Sequence, residues 1–301
     1  MQTFIHGAAL LAILGGTAYA ASESSGSAGS LDTAQIEALT GVKGAFDEKE
    51  QVYKVSVPRK DLKVVARGVH LTPPMGLTSW AAFKRAGSET VVMGDLVLGE
   101  DQVDPVMSVA LDNGLEVTGL HNHFLWESPR VMFMHVGGMA EEARLASAVG
   151  KVFQKIQETS GGSGRMPTTE IDPAKTTLDP QKLDSILGTK GELKDGVYKA
   201  TFGRITHMHG HEVGNRMGVN TWAAFAGSDD EAVVDGDFAV LESELQRVLK
   251  ALRGHGIDIT AIHQHMTGEE PRIMFLHYWS RGSVDALARG IRAALDATRT
   301  T

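Results

Sequence analysis

The sequence predicts an α+β protein of two tandem pseudo-symmetric repeats, each a mainly antiparallel sheet with helices packed on one face. Three observations predict it. The chain repeats itself at a fixed offset, and strand-like and helix-like periodicities follow in the same order in both halves. The third is bulk: 301 residues, 42% hydrophobic and 22% charged, suffice for two modest globular units.

The repeat is read directly. GLTSWAAF at 76–83 recurs as GVNTWAAF at 218–225, and VVMGD at 91–95 as VVDGD at 233–237. HNH at 121–123, ESPR at 127–130 and FMH at 133–135 recur as HQH at 263–265, EEPR at 269–272 and FLH at 275–277. All lie 142 residues apart, and the offset grows to 145 and 147 nearer the start of each copy, so the first copy carries two small insertions. The expected boundaries are an export segment 1–20, a flexible linker 21–30, repeat one 31–157, a Gly/Ser/Thr/Pro-rich linker 158–177 and repeat two 178–301.

Each repeat opens with a helix capped by Asp32 or Asp179, with Pro180 at the first helical position of the second and Gly41 or Gly188 past the end. Strands follow at 52–57 and 197–205, then around 80–83 and 91–98, with counterparts at 222–225 and 233–241. Val103, Val106, Met107, Ala110 and Leu111 mark an amphipathic helix, matched by Leu245, Val248, Leu249 and Leu252. A hairpin carries the histidines. A last helix is marked by Leu145, Ala148, Val149, Val152, Phe153 and Ile156, or by Val284, Leu287, Ala288 and Ile291.

The segment Phe4 to Tyr19 is apolar and ends in small residues at Ala18 and Ala20, the pattern of a cleavable secretory signal. A periplasmic or secreted product with no stable membrane anchor is expected. The formal charge of −8 disfavours nucleic acid, leaving a small molecule or metal ion as the expected partner. There is no cysteine, so a metal would be held by nitrogen and oxygen.

Strict alternation along the histidine strand places Leu115, Val117, His121 and His123 on one face, the face the helices cover. The returning strand brings His135 within reach, and Glu127 overhangs from the loop; His263, His265, His277 and Glu269 repeat the set. Three imidazoles and a carboxylate suit a divalent metal, zinc ahead of copper, manganese or iron. Glu127 and Glu269 are then fourth ligands or catalytic bases. The spacing His-x-His-x₃-Glu with a later His is similar to the ligand pattern of cupins, as shared coordination logic alone.

Other readings stand beside it. The histidines lock the two copies together structurally, or they bind an organic anion with Arg130 and Arg272, which otherwise pair Glu127 and Glu269. Asp95 and Asp237 either orient a histidine or turn the chain. Trp80, Trp222, Phe83 and Phe225 read as core. His207, His209 and His211 would align as an extra metal site if their strand continues, and are otherwise an exposed run.

The strings GDLV at 94–97, HNHFLWESPRVMFMH at 121–135 and WAAF at 222–225 resemble the LppY/LpqO family of exported bacterial proteins, a domain of unknown function, over nearly the whole mature chain. That resemblance implies export and carries no established activity. Some members are lipoproteins, and a chain without cysteine departs from that pattern. With no nucleophile elbow, P-loop or HExxH motif, the sequence leaves open whether the protein is an enzyme. A metal-dependent hydrolase, a non-catalytic metal- or anion-binding protein and a structural envelope protein are the competing expectations.

Overall fold

The computed structural model describes residues 29–161 and 168–299. The export segment 1–20, most of the 21–30 linker and the middle of the 158–177 linker lie outside the described residues.

Repeat one runs α1 (Thr33–Thr40), β1 (Gly44–Asp47), β2 (Val52–Pro58), β3 (Val65–Ala66), β4 (Val69–His70), β5 (Thr78–Ala86), β6 (Glu89–Gly99), α2 (Val103–Asp112), β7 (Glu116–His121), β8 (Glu127–Ser128), β9 (Val131–Ala140) and α3 (Glu142–Glu158). Repeat two follows the same order. It comprises α4 (Pro180–Leu187), β10 (Glu192–Lys194), β11 (Val197–Gly203), β12 (Thr206–Met208), β13 (His211–Val213), β14 (Asn220–Gly227), β15 (Ala232–Leu241), α5 (Leu245–Gly254), β16 (Asp258–His263), β17 (Glu269–Glu270), β18 (Ile273–Gly282) and α6 (Val284–Ala297).

The two repeats do not build separate sheets. Twelve strands form one sheet in the order β1-β2-β5-β6-β9-β7-β16-β18-β15-β14-β11-β10, joined at its centre by antiparallel pairing of Leu120 with Ile262. The order reads as a palindrome of equivalent strands, so a pseudo-twofold axis passes between β7 and β16. Two small sheets, β4-β3-β8 and β13-β12-β17, stand apart from the large one.

The helices pack on one face. Phe83, Leu96, Met134, Phe225, Phe238 and Leu276 point from the strands into a core with Met107, Val149, Leu249 and Ile291 from the helices. Burying each such side chain contributes roughly 1.5–3 kcal/mol. Asp32 and Asp179 cap their helices by accepting the backbone N–H of Gln35 and Gln181 at 2.9 Å, and Gly41 and Gly188 end them at φ 69° and 70°.

On the opposite face, smaller clusters lie against the two small sheets: Val64, Leu77, Val97, Val131 and Phe133 in repeat one, and Val213, Val219, Ala239, Ile273 and Phe275 in repeat two. The histidine strands turn toward this second face. The register of β7 against β9 slips between Val117 and Gly119, and that of β16 against β18 between Ile259 and Ala261. Each β-bulge inverts the alternation after it. Val117 and Leu120 are both core residues, and His121 faces away from the helices, where uninterrupted alternation had put it on the same face as Val117.

The bulges are also where the repeats are stitched together. The N–H of Val117 donates to Gln246 of α5 at 2.9 Å, and Gln246 returns a bond to the Val117 carbonyl. The N–H of Ile259 donates to Asp104 of α2 at 3.1 Å. Residues 104 and 246 are 142 apart, so each repeat satisfies the irregular strand of the other from the same position.

Candidate metal centre

Six histidines line the non-helical face beside the pseudo-twofold axis. His121 is paired with Phe133 across β7 and β9, and His135 with Gly119. In repeat two His263 is paired with Phe275, and His277 with Ala261. The lateral neighbour of each returning-strand histidine is an aspartate: Asp95 opposite His135 and Asp237 opposite His277. Beyond the aspartates lie Trp80 and Trp222. Identical rows of Trp, Asp, His and a small residue therefore approach the axis from both sides.

In the second repeat the three rings converge. One ligand nitrogen from each of His263, His265 and His277 lies within 4.8 Å of the others, and this is the convergent metal-type group among the described residues. Ring centroids are 4.9, 4.8 and 6.0 Å apart. His265 is held by stacking on Phe275 at 3.5 Å. In the first repeat His123 stacks on Phe133 at 3.4 Å in the same way. There, however, the Nε2 atoms of His121 and His135 are 2.9 Å apart, one donating to the other. That trio is closed on itself by a hydrogen bond, and a cation must break it to enter.

Burial shapes the charges. Asp237 is only 4% exposed, and burial pushes its carboxyl up to about 7, against the pull of His263 and with Asp235 adding to the rise. It lies 3.8 Å from Nδ1 of His277 and 3.8 Å from Nε2 of His265. Burial lowers His265, with His263 and His277 adding to the shift, which favours the neutral imidazole a metal requires. His123 is lowered by burial, against the attraction of Asp95 and with His121 and His135 contributing.

Unpartnered oxygens stand behind the histidines at the aspartates and on the short strands at the glutamates. Among the described residues, buried side-chain atoms lacking a hydrogen bond include Oδ1 of Asp95 and Asp237, Oε1 of Glu127 and Oε2 of Glu269. Carboxylate oxygens left this way call for a proton, a water or a cation. The aspartates sit in mid-strand and turn nothing. Gly236, beside Asp237, leaves room for the Tyr278 ring, since a Cβ there would fall 2.1 Å from the tyrosine oxygen.

Other sequence expectations fall differently. Glu127 and Glu269 lie on the short strands β8 and β17. The Oε1 of Glu269 accepts the Ile273 N–H at 3.2 Å, and neither glutamate belongs to the convergent group. Arg130 is exposed and lies 3.8 Å from Glu100, not beside Glu127; Arg272 is exposed on the equivalent loop. Phe83 and Phe225 are core, but Trp80 and Trp222 lie on the other face beneath Lys54 and Lys199, each ammonium 4.0 Å from the ring centre.

The run at 207–211 does not continue as one strand. His209 at φ 52° and Gly210 at φ 81° form a tight turn, and β12 pairs with β13 as His207 to Glu212 and Met208 to His211. Cross-strand partners share a face, so His207 and His211 point to opposite sides of the ribbon, and all three histidines are exposed. The turn overrides the alternation that would have aligned them.

The residues missed from sequence are Phe133 and Phe275 as stacking floors, and Gly119 and Ala261 as the small residues beside the axis. Alternation back from His135 and His277 was enough to find the phenylalanines. The bulge hid the other two.

Comparison with known proteins adds the family. No curated protein matches the chain. A solved trimeric bacterial microcompartment shell protein, PduB, aligns over 84% of this chain and 89% of its own at 9% identity, but with a TM-score of 0.20 it carries no argument about fold or function. A family model matches twice in tandem, at residues 34–155 and 181–297. The chain therefore belongs to the family described as Domain of Unknown Function (DUF1259), of which it holds two copies.

Proposed function

We propose that this is an exported two-repeat protein of the LppY/LpqO kind whose second repeat holds a divalent cation, zinc first, on His263, His265 and His277. The observation that carries the reading is the mutual approach of those three nitrogens within 4.8 Å. Zinc takes imidazole at about 2.0–2.1 Å, and a three-histidine set leaves a fourth position for water or substrate. Asp237 stands behind the trio, its Oδ1 3.8 Å from Nδ1 of His277 and without a hydrogen bond, and on loading would close on that nitrogen as a supporting acceptor. Export to the periplasm or medium rests on the sequence of residues 1–20. No helix among the described residues is long and apolar enough to cross a membrane.

The chemistry proposed is hydrolytic, with the cation lowering the pKa of its bound water. A second reading, a non-catalytic metal-binding protein, is favoured by one observation: Glu269, the sequence candidate for general base, is buried, holds the Ile273 N–H on Oε1 and lies outside the convergent group.

Elemental analysis of untagged full-length protein after zinc supplementation tests the site. Wild type retains about one equivalent or more and His263→Ala/His277→Ala much less, whereas wild-type uptake below roughly a tenth of an equivalent refutes the metal reading. Zinc-dependent hydrolysis of p-nitrophenyl acetate separates the two functions. It is present in a hydrolase, whereas in a binding protein zinc raises the thermal midpoint without turnover.

A further inference from the structure

The two histidine trios face one another across the pseudo-twofold axis. The antiparallel pair Leu120–Ile262 places Gly119 beside His263 and Ala261 beside His121 on the face away from the helices. One row across the molecule then reads Trp80, Asp95, His135, Gly119, His263, Phe275, and the next reads Trp222, Asp237, His277, Ala261, His121, Phe133. Each row draws histidines from both repeats, and only Gly119 and Ala261 separate them.

Spacing follows from the lattice of the sheet. Each trio is centred between its own two strands, so the centres are two strand spacings apart and offset by two residues along the strands. With strands about 4.8 Å apart and a rise of about 3.4 Å per residue, the centres lie roughly 12 Å from each other. On the two central strands Gly119 alternates with His121 and Ala261 with His263, so the small residues open the space beside each inner imidazole. The two small sheets, lying over Val131 and Ile273, stand at opposite ends of this face.

We propose that the trios form one composite site, a cation on each, spanned by a single organic ligand with an acidic group at either end. This rests on the metal reading of the second trio. Asp237, nine-tenths buried with Oδ1 unpartnered, and Asp95, with its own Oδ1 unpartnered, back the two trios from equivalent positions. A carboxylate oxygen on each cation, about 2 Å from it, leaves some 8 Å to be bridged, the reach of a flexible aliphatic dicarboxylate. The first trio fills after the second, because its His121–His135 hydrogen bond is broken on loading.

Adipate and acetate are the probes, titrated calorimetrically into full-length protein loaded to two zinc equivalents. Wild type binds one adipate per chain at least about tenfold more tightly than acetate, because the second contact is intramolecular. His121→Ala/His135→Ala, which keeps the second trio and its zinc, loses that preference, and retained zinc shows that it has folded. Equal affinity for the two acids, two adipates per chain, or an undiminished preference in the variant overturns the composite site. Failure of wild type to retain zinc is read separately by elemental analysis of the same samples, and rejects the underlying metal reading.

Discussion

The first and second repeats share a fold and a row of Trp, Asp and His, yet differ where a ligand would meet them. In repeat two the three nitrogens stand open to one another; in repeat one two of them are hydrogen-bonded together. The loop above the histidines differs too. Repeat one carries Leu125 and Trp126, the latter 77% exposed at φ 66°, where repeat two has Thr267 and Gly268 at φ 77°. A tryptophan in the left-handed region with no burial in return is a local cost that repeat two avoids. Duplication thus preserved the sheet and its aspartates while the rims diverged.

The largest difference between the repeats is expected in zinc affinity. His263→Ala should weaken the tightest site by at least about 100-fold, whereas His121→Ala should leave it within severalfold of wild type, as read by competition with a chromophoric chelator. Equal losses from both variants would erase the distinction between the trios.

Core changes should show no such asymmetry. Phe83 and Phe225 occupy equivalent, fully buried positions. Truncating either to alanine should cost about 3–5 kcal/mol in denaturant unfolding, and the two values should agree to within about 1 kcal/mol. A single cooperative transition is expected in both, because one sheet runs through both repeats.

The reciprocal stitches at the bulges differ in charge, and this sharpens the comparison. Gln246→Ala leaves the Val117 N–H and carbonyl without their partner and should cost about 1–3 kcal/mol. Its counterpart Asp104 is raised to about 7, chiefly by burial, with Asp258 adding to the rise and Arg253 opposing it. The unfolded chain releases that proton near the ordinary 3.8, so the folded state binds the extra proton between these values. Its contribution to stability therefore falls as pH rises from about 4 to about 7. Asp104→Asn, neutral throughout, should flatten that part of the profile, whereas an unchanged slope would remove Asp104 from the account. The smallest effect is expected at the rim: Trp126→Gly should raise stability by no more than about 1 kcal/mol, since relief at positive φ is partly offset by glycine's greater unfolded freedom.

Much of the architecture was legible because it is written twice. The 142-residue offset fixed the repeat, and heptad-like spacing at Val103 to Leu111 and strand-like runs at 91–98 placed the elements. Two features were not legible. Alternation assumes an unbroken strand, and a bulge at Val117–Gly119 leaves no mark in hydrophobicity, so alternation alone puts the histidines on the helix-covered face. Nor does local pattern show that the central strands of two repeats pair with each other; that depends on the edge each leaves open. At the site, His263, His265 and His277 could be named from spacing. The lateral placement of Asp237 needed the register of β15 against β18.

The central claim is that three imidazoles of repeat two hold one cation. X-ray absorption at the zinc edge, on full-length protein loaded with one equivalent, tests it most directly. The account predicts a first shell with three imidazole nitrogens at about 2.0–2.1 Å and one further oxygen from water, the imidazole contribution being lost in His263→Ala/His277→Ala. A shell of oxygen alone, or one unchanged in that variant, would contradict it.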